Sequence, residues 1–258
     1  MEELVLYHTE NRVGYITLNR PEKRNALNAL FVGKIKEAFH KAEADEACKV
    51  IVLKGNGEAF CAGADLSYIQ TLQTNTYEEN LKDSQHLMEL FRMIHLSSKV
   101  VISQVEGPAM AGGCGLATVC DFSFVTPESS FAYTEVKIGF IPAIVMVFLI
   151  RKIGEGKARE ILLTGDVFNA ERALQYGIIN FIKPKEQIAT EVKSLAERLC
   201  KTASAQSLKT VKEMIAGVQD RTLDEALQYA AQMNATARAT EDCKKGIAAF
   251  LNKEKLSW

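Results

Sequence analysis

The sequence predicts an α/β fold, because short apolar segments of strand length alternate with longer segments whose apolar residues recur at helical spacing. The runs at residues 50–53 and 100–105 are almost continuously apolar, which is typical of parallel strands that are covered on both faces. Each run is followed by a glycine-containing turn and then by a helical pattern. After about residue 185 only helical patterns remain, so we expect the chain to end in helices.

The first elements are predicted to be a hairpin and a helix. Residues 4–20 alternate between apolar and polar side chains on either side of a polar turn, as two short paired strands do. Residues 19–25 interrupt this alternation, and a helix is predicted over residues 26–44. The apolar residues that recur at helical spacing in it are Leu27, Leu30, Phe31, Ile35, Ala38 and Phe39.

The elements that follow repeat the order of strand, loop and helix. They are a strand at 50–53, a loop at 55–63, a helix at 87–96, a strand at 100–105, a loop at 107–115, a helix that starts at 116–119 and a strand at 122–125. Further helices are predicted at 188–200, 206–216, 223–239 and 243–253. We therefore expect an α/β core at residues 1–190 and a helical region at residues 191–258. Since no linker separates the two, the helices should pack on the core or on a neighbouring subunit.

Charge and composition exclude several classes of protein. The 31 Lys and Arg residues are balanced by 32 Asp and Glu residues, so there is no basic excess that would bind nucleic acid. The N-terminus lacks the pattern of a secretory signal, and no apolar run is long enough to cross a bilayer. The 6 cysteines form no CxxC pair, which favours a reducing compartment and argues against a metal site. We expect a cytoplasmic protein without nucleic-acid or membrane partners.

Two glycine-rich loops lie where a predicted strand leads into a helix, at residues 55–65 and 107–116. Their small residues let a ligand approach the backbone, and the amide groups at a helix start are free to donate. Neither loop contains a P-loop, a dinucleotide-binding or a GxSxG pattern. Either loop alone could be a tight turn, but two of them in one α/β domain indicate a pair of backbone donors at one oxygen, that is, an oxyanion hole.

Several segments, in order along the chain, resemble one known family. They are residues 19–27, 60–66, 107–121, 133–142 and 163–165. From about residue 4 to the C-terminus the sequence is similar to the crotonase superfamily, that is, the enoyl-CoA hydratase/isomerase family, and it resembles bacterial enoyl-CoA and methylglutaconyl-CoA hydratase-like members. The resemblance implies a crotonase-like spiral of ββα units, acyl-CoA substrates, and C-terminal helices that form homotrimers or dimers of trimers. It implies no metal or redox cofactor, since coenzyme A is part of the substrate.

The resemblance also assigns roles to individual residues. It implies that the backbone N–H groups of Ala64 and Gly112 form the oxyanion hole and that Glu135 is the catalytic acid/base. The residues that match the family's coenzyme A contacts are Lys23, Arg24, Ala26, Ala62, Asp65, Leu66, Phe250 and Lys253. For Lys23 and Arg24 a solvated turn remains the alternative, and for Phe250 plain helix packing.

One of the family's two catalytic acids is missing. Hydratases of the family carry one glutamate at the position of Gly115 and a second at the position of Glu135. If Glu135 is buried among apolar neighbours its pKa is raised, which suits acid/base catalysis near neutral pH. A single base is enough to move a proton between C2 and C4 of a 3-enoyl-CoA, so these two positions favour an isomerase.

Three functions therefore stay open. The resemblance to the hydratase-like branch favours an enoyl-CoA hydratase-type lyase that works through a thioester enolate. The alternatives are a 3-enoyl-CoA to 2-enoyl-CoA isomerase that uses Glu135 alone, and a non-catalytic acyl-CoA-binding scaffold. Residues 143–148 are bulky where many relatives have glycines, which predicts a narrower acyl pocket unless these side chains belong to the core.

Overall fold

Strands of two sheets organise the computed structural model, which describes residues 3–258. The strands are β1 (Val5–Glu10), β2 (Val13–Leu18), β3 (Val50–Gly55), β4 (Val100–Val105), β5 (Ala109–Met110), β6 (Phe122–Val125), β7 (Ser130–Ala132), β8 (Phe168–Asn169) and β9 (Phe181–Ile182). The larger sheet has the order β1-β2-β3-β4-β6-β9, and the smaller sheet has the order β5-β7-β8.

Helices follow most of these strands, which confirms the predicted α/β class. They are α1 (Ala29–Ala44), α2 (Leu66–Leu72), α3 (Tyr77–His95), α4 (Gly112–Val119), α5 (Ala143–Ile153), α6 (Glu155–Thr164), α7 (Ala170–Tyr176), α8 (Lys185–Thr202), α9 (Ala205–Val218), α10 (Leu223–Ala239) and α11 (Glu241–Leu251). Short 3₁₀ turns occupy Pro21–Lys23 and Glu135–Ile138.

The larger sheet begins with the predicted hairpin. β1 and β2 are antiparallel, and the two residues between them, Asn11 and Arg12, have φ angles of 50° and 67°. Two left-handed residues in succession are what a two-residue type I′ turn requires. From β2 onward the paired strands of this sheet are parallel, as the apolar runs predicted.

Helices cover both faces of the larger sheet. Phe31 and Ile35 of α1 belong to the main hydrophobic cluster on one face, and Ile188 and Val192 of α8 belong to a second cluster on the other. Residue 190, where the predicted core ends, lies inside α8. α9 also contacts β4, whereas α10 packs on α9 and α11.

The smaller sheet is extended by two isolated bridges. β5 and β7 are parallel, and a parallel bridge joins Cys61 of the first glycine loop to Ala109 of β5. A second parallel bridge joins Leu27 to Ala64. The segments around Leu27, the first glycine loop, β5 and β7 thus lie side by side and run in the same direction.

The helix after the second glycine loop begins earlier than predicted. We expected it to start at residue 116, but α4 begins at Gly112, so the loop prediction was wrong for residues 112–115. Glycine is a poor helix former, and its concentration here hides the helix from the sequence pattern. Packing explains the glycine at residue 113, because a Cβ there would lie 2.2 Å from the carbonyl oxygen of Cys61.

Helices α5, α6 and α7 have no counterpart in the prediction, and α3 extends well before the predicted segment at 87–96. In α5 the side chains of Val145 and Leu149 are buried, yet Met146 and Val147 on the other side are also apolar and partly exposed. An apolar run without a polar face lacks the helical period that the prediction depends on.

The C-terminal helices stand partly away from the sheets. Neither α9 nor α10 has a fully buried residue, and α10 packs on α9 and α11. Lys212 ties α9 to the core, because its Nζ lies 2.5 Å from a carboxylate oxygen of Asp121 and donates to the carbonyl oxygen of Lys99 at 2.9 Å. Across residues 3–258, no helix has the length and apolar character needed to cross a membrane.

Candidate active site

The three residues predicted to act lie just beyond the ends of parallel segments. The N–H of Met110 donates to the carbonyl oxygen of Cys61 at 2.9 Å, so the first glycine loop runs alongside the second. β5 pairs in turn with β7. Because parallel segments end at the same edge of a sheet, Ala64, Gly112 and Glu135 are placed together at that edge.

Ala64 presents a backbone amide that the fold leaves free. In the bridge to Leu27, the N–H of Leu27 donates to Gly63 O at 2.7 Å, and the N–H of Asp65 donates to Leu27 O at 2.8 Å. The N–H of Ala64 lies between these bonds and points to the opposite side, as residues alternate along a parallel ladder. Among residues 3–258 it has no backbone acceptor, and Ala64 is exposed.

Gly112 presents a second free amide. It is the first residue of α4, and the first turn of a helix has N–H groups without intrahelical partners at the positive end of the helix dipole. The hydrogen bond that starts this helix runs from the N–H of Gly115 to Ala111 O at 3.0 Å. A Cβ on Gly112 would lie 3.1 Å from Leu27, the residue that bridges to Ala64. The free N–H groups of Ala64 and Gly112 therefore both lie next to the segment that contains Leu27.

Glu135 opens the 3₁₀ turn that follows β7, and its side chain is buried, which is the condition under which a raised pKa is expected. The residue is 9% exposed, and its Oε2 has no hydrogen-bond partner among the described residues. Burial raises the pKa of its carboxyl above the usual value, since the charged form loses solvation. A buried carboxyl with one unpartnered oxygen and a raised pKa is suited to take up and return a proton.

This environment predicts how Glu135 affects stability. Below its ordinary pKa the carboxyl is neutral in the folded and the unfolded chain, but above its raised folded pKa the folded chain holds a poorly solvated charge. We expect Glu135→Gln to match the wild type in Tm near pH 4, to exceed it as the pH rises from the ordinary to the raised pKa, and to keep a constant advantage above the raised pKa. Thermal unfolding of both proteins across this range measures the difference, and a Tm difference that does not change with pH would contradict the assignment.

The position of Gly115 has no room for a side chain. A Cβ there would lie 2.3 Å from Cγ1 of Val145 and 2.9 Å from a ring carbon of Phe91. Val145 is buried on α5, which packs against α4. The place where hydratases of the family carry their first glutamate is therefore filled by apolar atoms. Of the bulky residues at 143–148, Val145 is part of the hydrophobic core, and it packs there beside Gly115.

Most of the predicted coenzyme A contacts lie in two adjacent segments. The N–H of Ala62 donates to Arg24 O at 2.9 Å, which holds residues 23–26 against residues 62–66. Lys23 and Arg24 are exposed beside the loop that leads to Ala64. The predicted residues that the structure brings together here are Lys23, Arg24, Ala26, Ala62, Asp65 and Leu66.

The carboxylate of Asp65 is occupied within the chain. It accepts hydrogen bonds from the backbone and hydroxyl of Ser67, at 3.1 and 2.6 Å, and forms an ion pair with Arg20 at 3.0 Å. The hydroxyl of Ser67, followed by Arg20, lowers the pKa of this carboxyl. Its side chain therefore caps α2, and a role for Asp65 in binding depends on its position beside Leu66 rather than on a free carboxylate.

Phe250 and Lys253 lie at the other end of the chain, where α11 ends. Phe250 is 84% exposed, and α11 packs on α10. Within one chain, the structure does not bring these two predicted contacts to the other six.

Arg20 and Asn25 were missing from the predicted site residues. Asn25 is fully buried with a left-handed φ of 55°, and its Nδ2 donates to the carbonyl oxygens of Asn56, Ala59 and Phe60 at 3.0, 3.0 and 3.1 Å. These bonds fasten the turn at residues 20–26 to the first glycine loop. The sequence offers only the tendency of asparagine to adopt left-handed turns as a signal.

We expect Asn25→Ala to destabilise the fold by at least about 1–3 kcal/mol, because it leaves buried carbonyl groups without a donor. Asn25→Gly tolerates the left-handed backbone and should recover only part of that loss. Asn56→Ala is the control, since the Asn56 side chain is exposed and bonds only to Asn19 at 3.0 Å. Urea unfolding measures all three, and equal stability of the Asn25 and Asn56 variants would refute the role given to Asn25.

Metal ligands and reactive thiols are not gathered at this edge. In the part of the chain that the structure describes, no three His, Cys, Asp or Glu side chains are grouped to hold a metal ion. Cys61 in the first glycine loop and Cys114 in α4 are fully buried, and burial raises the pKa of each thiol to about 12. Neither thiol is therefore available as a thiolate nucleophile.

Comparison with known proteins gives a consistent result. The family described as "Enoyl-CoA hydratase/isomerase" matches residues 8–258. A Thermus thermophilus protein that carries a provisional enoyl-CoA hydratase name is 39% identical over 95% of this chain and 96% of its own. The crotonyl-CoA hydratase of Syntrophomonas wolfei is 32% identical over 99% of this chain and 98% of its own.

Solved structures agree along the whole length. An enoyl-CoA hydratase from Shewanella pealeana superposes with a TM-score of 0.94 at 28% identity, covering 99% of this chain and 96% of that chain. A crotonase-type protein from Legionella pneumophila superposes with a TM-score of 0.89 at 33% identity, covering 98% of both chains. The expected crotonase-like architecture, with its C-terminal helices, is thereby confirmed.

Proposed function

The chain belongs to the enoyl-CoA hydratase/isomerase family, and from this premise we propose that it is an enzyme that acts on an enoyl-CoA through a thioester enolate. The observation that supports the proposal is that two backbone amides without a backbone acceptor, at Ala64 and Gly112, lie on segments that pair through β5 with the strand leading to the buried carboxyl of Glu135. A non-catalytic scaffold would have no use for a buried carboxyl whose Oε2 is unpartnered.

In the proposed reaction the thioester oxygen accepts hydrogen bonds from the N–H groups of Ala64 and Gly112. These bonds strengthen as negative charge develops on that oxygen in the enolate, so they stabilise the transition state more than the bound substrate. Glu135 moves the proton at the adjacent carbons. The chemistry uses backbone donors and one acid/base, with coenzyme A as part of the substrate, and we propose no further cofactor.

Hydration is the reaction we favour, because the similar proteins from Syntrophomonas wolfei and Shewanella pealeana are named hydratases. Glu135 would accept a proton from water as the oxygen bonds to C3, and would return a proton to C2. Because Val145 and Phe91 fill the space at Gly115, no carboxylate at that position can orient the water.

The same observation favours a second candidate, the conversion of a 3-enoyl-CoA to a 2-enoyl-CoA. Here Glu135 removes a proton from C2, the C–H electron pair moves into the enolate, and the carboxylic acid returns the proton to C4. One buried carboxyl is enough for this transfer, and the apolar atoms of Val145 and Phe91 at position 115 leave no room there for a second carboxylate.

Incubation with a 2-enoyl-CoA and, separately, a 3-enoyl-CoA in heavy-oxygen water tests the proposal. Heavy oxygen at C3 of a 3-hydroxyacyl-CoA supports the hydratase. Interconversion of the two alkenes without oxygen uptake supports the isomerase. No reaction of either substrate at any chain length would refute both and leave the scaffold.

We propose that coenzyme A binds along the surface formed by residues 23–26 and 62–66. Lys23 and Arg24 are exposed there and offer charge to its phosphates. Because α9, α10 and α11 expose apolar side chains, we propose that these helices pack against other copies in a homotrimer or a dimer of trimers, where Phe250 and Lys253 complete the coenzyme A site. The apolar side chains concerned are Val211, Ile215, Leu223, Leu227, Ile247, Phe250 and Leu251.

A further inference from the structure

Each of the two free amides follows a residue whose φ is positive. Gly63, before Ala64, has a φ of 90°, and Ala111, before Gly112, has a φ of 48° with a ψ of −120°. Glycine adopts such angles without penalty, but alanine does not. We propose that Ala111 is a positioning residue whose strained backbone aims the N–H of Gly112 at the substrate oxygen.

The strain at Ala111 is held in place by its surroundings. Its N–H donates to Ala132 O at 2.7 Å, and its carbonyl oxygen accepts from Gly115 N–H at 3.0 Å. Met110, one residue earlier, is anchored to Cys61 O at 2.9 Å. A non-glycine residue in such a conformation is strained and persists only where the surroundings determine it, as at functional sites.

The backbone angles of Ala111 decide where the Gly112 amide points. The ψ angle of one residue sets the rotation of the following peptide plane, and that plane carries the N–H of the next residue. If Ala111 relaxed to a negative φ and an ordinary ψ, the peptide between Ala111 and Gly112 would rotate, and its N–H would leave the edge where Ala64 and Glu135 lie. The backbone conformation of Ala111 therefore sets the direction of the Gly112 N–H donor.

The methyl group of Ala111 also fixes how the two loops approach each other. A Cβ built on Gly63 would lie 2.9 Å from the Cβ of Ala111 and 2.8 Å from the carbonyl oxygen of Met110. Only one of the two facing positions can therefore carry a side chain. The Ala111 methyl occupies the space between the loops and restricts their movement, which a glycine at residue 111 would not do.

This inference rests on the proposed function, and Ala111→Gly tests it. Glycine can hold the same backbone angles without strain but lacks the methyl that restricts the two loops, so we expect a higher Tm together with a donor whose direction is less well fixed. The reporter reaction is enolate formation from acetoacetyl-CoA, in which a C2 proton moves to Glu135 and the C–H electron pair moves onto the carbonyl oxygens. The enolate absorbs in the near ultraviolet, so formation is followed without turnover.

We expect Ala111→Gly to slow enolate formation about tenfold or more, since complete loss of an oxyanion donor costs about 10²–10³-fold. The Kd for acetoacetyl-CoA, measured by calorimetry at a pH where no enolate forms, should stay within about twofold. Ala47→Gly is the matched control, because Ala47 is exposed in a turn without a positive φ. It should not raise Tm or change the rate.

The possible outcomes distinguish failure of the proposed function from failure of the role given to Ala111. If the wild type forms no enolate, the proposed function fails, and the inference fails with it. If the wild type forms the enolate and Ala111→Gly matches it in rate, or does not gain stability, the inference alone is overturned. A more stable variant that forms the enolate more slowly supports both.

Discussion

Glu135→Gln is expected to lower turnover of an enoyl-CoA by about 10²–10⁴-fold, the usual contribution of a positioned acid/base. Glutamine keeps the shape and hydrogen-bonding capacity of the side chain but can neither accept nor return the proton. Because the thioester is bound by backbone amides and coenzyme A by other residues, affinity for a saturated acyl-CoA should be unchanged. Steady-state kinetics and calorimetric titration measure the two effects separately.

Glu106→Gln is the matched control for this prediction. Glu106 directly precedes the second glycine loop, but its carboxylate accepts a hydrogen bond from Gln104 at 2.7 Å and is thus engaged within the chain. We expect it to retain turnover. If Glu106→Gln lost turnover while Glu135→Gln kept it, Glu106 rather than Glu135 would be the catalytic carboxylate, and the prediction would be wrong.

Gly115→Ala is expected to destabilise the fold by about 1–3 kcal/mol or more, because the added methyl meets Val145 at 2.3 Å and Phe91 at 2.9 Å. Gly115→Glu should be worse, so the missing acid cannot be restored by one substitution. Gly156→Ala is the control: nothing lies within 4 Å of a Cβ there, and it sits in α6, where alanine is the better helix former. Urea unfolding should show it to be neutral or stabilising.

A double-mutant cycle tests the cause of this effect. Val145→Ala removes the Cγ1 atom that the new methyl would meet. The double variant Gly115→Ala/Val145→Ala should therefore be more stable than the sum of the two single effects predicts. Strict additivity would mean that Val145 does not fill the position of the missing acid.

Much of the fold is predictable because burial leaves a regular pattern. β3 and β4 are apolar along most of their length since α1 and α8 cover opposite faces of the sheet. Where packing rather than periodicity decides the structure, the prediction fails. α4 begins among glycines because its backbone packs directly on Cys61, and α5 is apolar on two sides.

The candidate site, too, has features that the sequence reveals and features that depend on packing. The glycine loops are visible in sequence because close backbone approach requires small residues, and the resemblance to a family selects Glu135 among many acids. The role of Asn25 is not visible, because its three acceptors are carbonyl groups that no side chain reveals. The absence of an acid at Gly115 is visible, but the apolar filling from Val145 and Phe91 comes from elements distant in sequence.

The central claim is that two backbone amides and Glu135 together generate a thioester enolate. Hydrogen exchange at C2 of a saturated acyl-CoA such as butyryl-CoA in heavy water tests it most directly, since this substrate can be neither hydrated nor isomerised. The wild type should introduce deuterium at C2, as detected by mass spectrometry, and Glu135→Gln should not. Equal exchange by the two proteins, or none by the wild type, would contradict the claim.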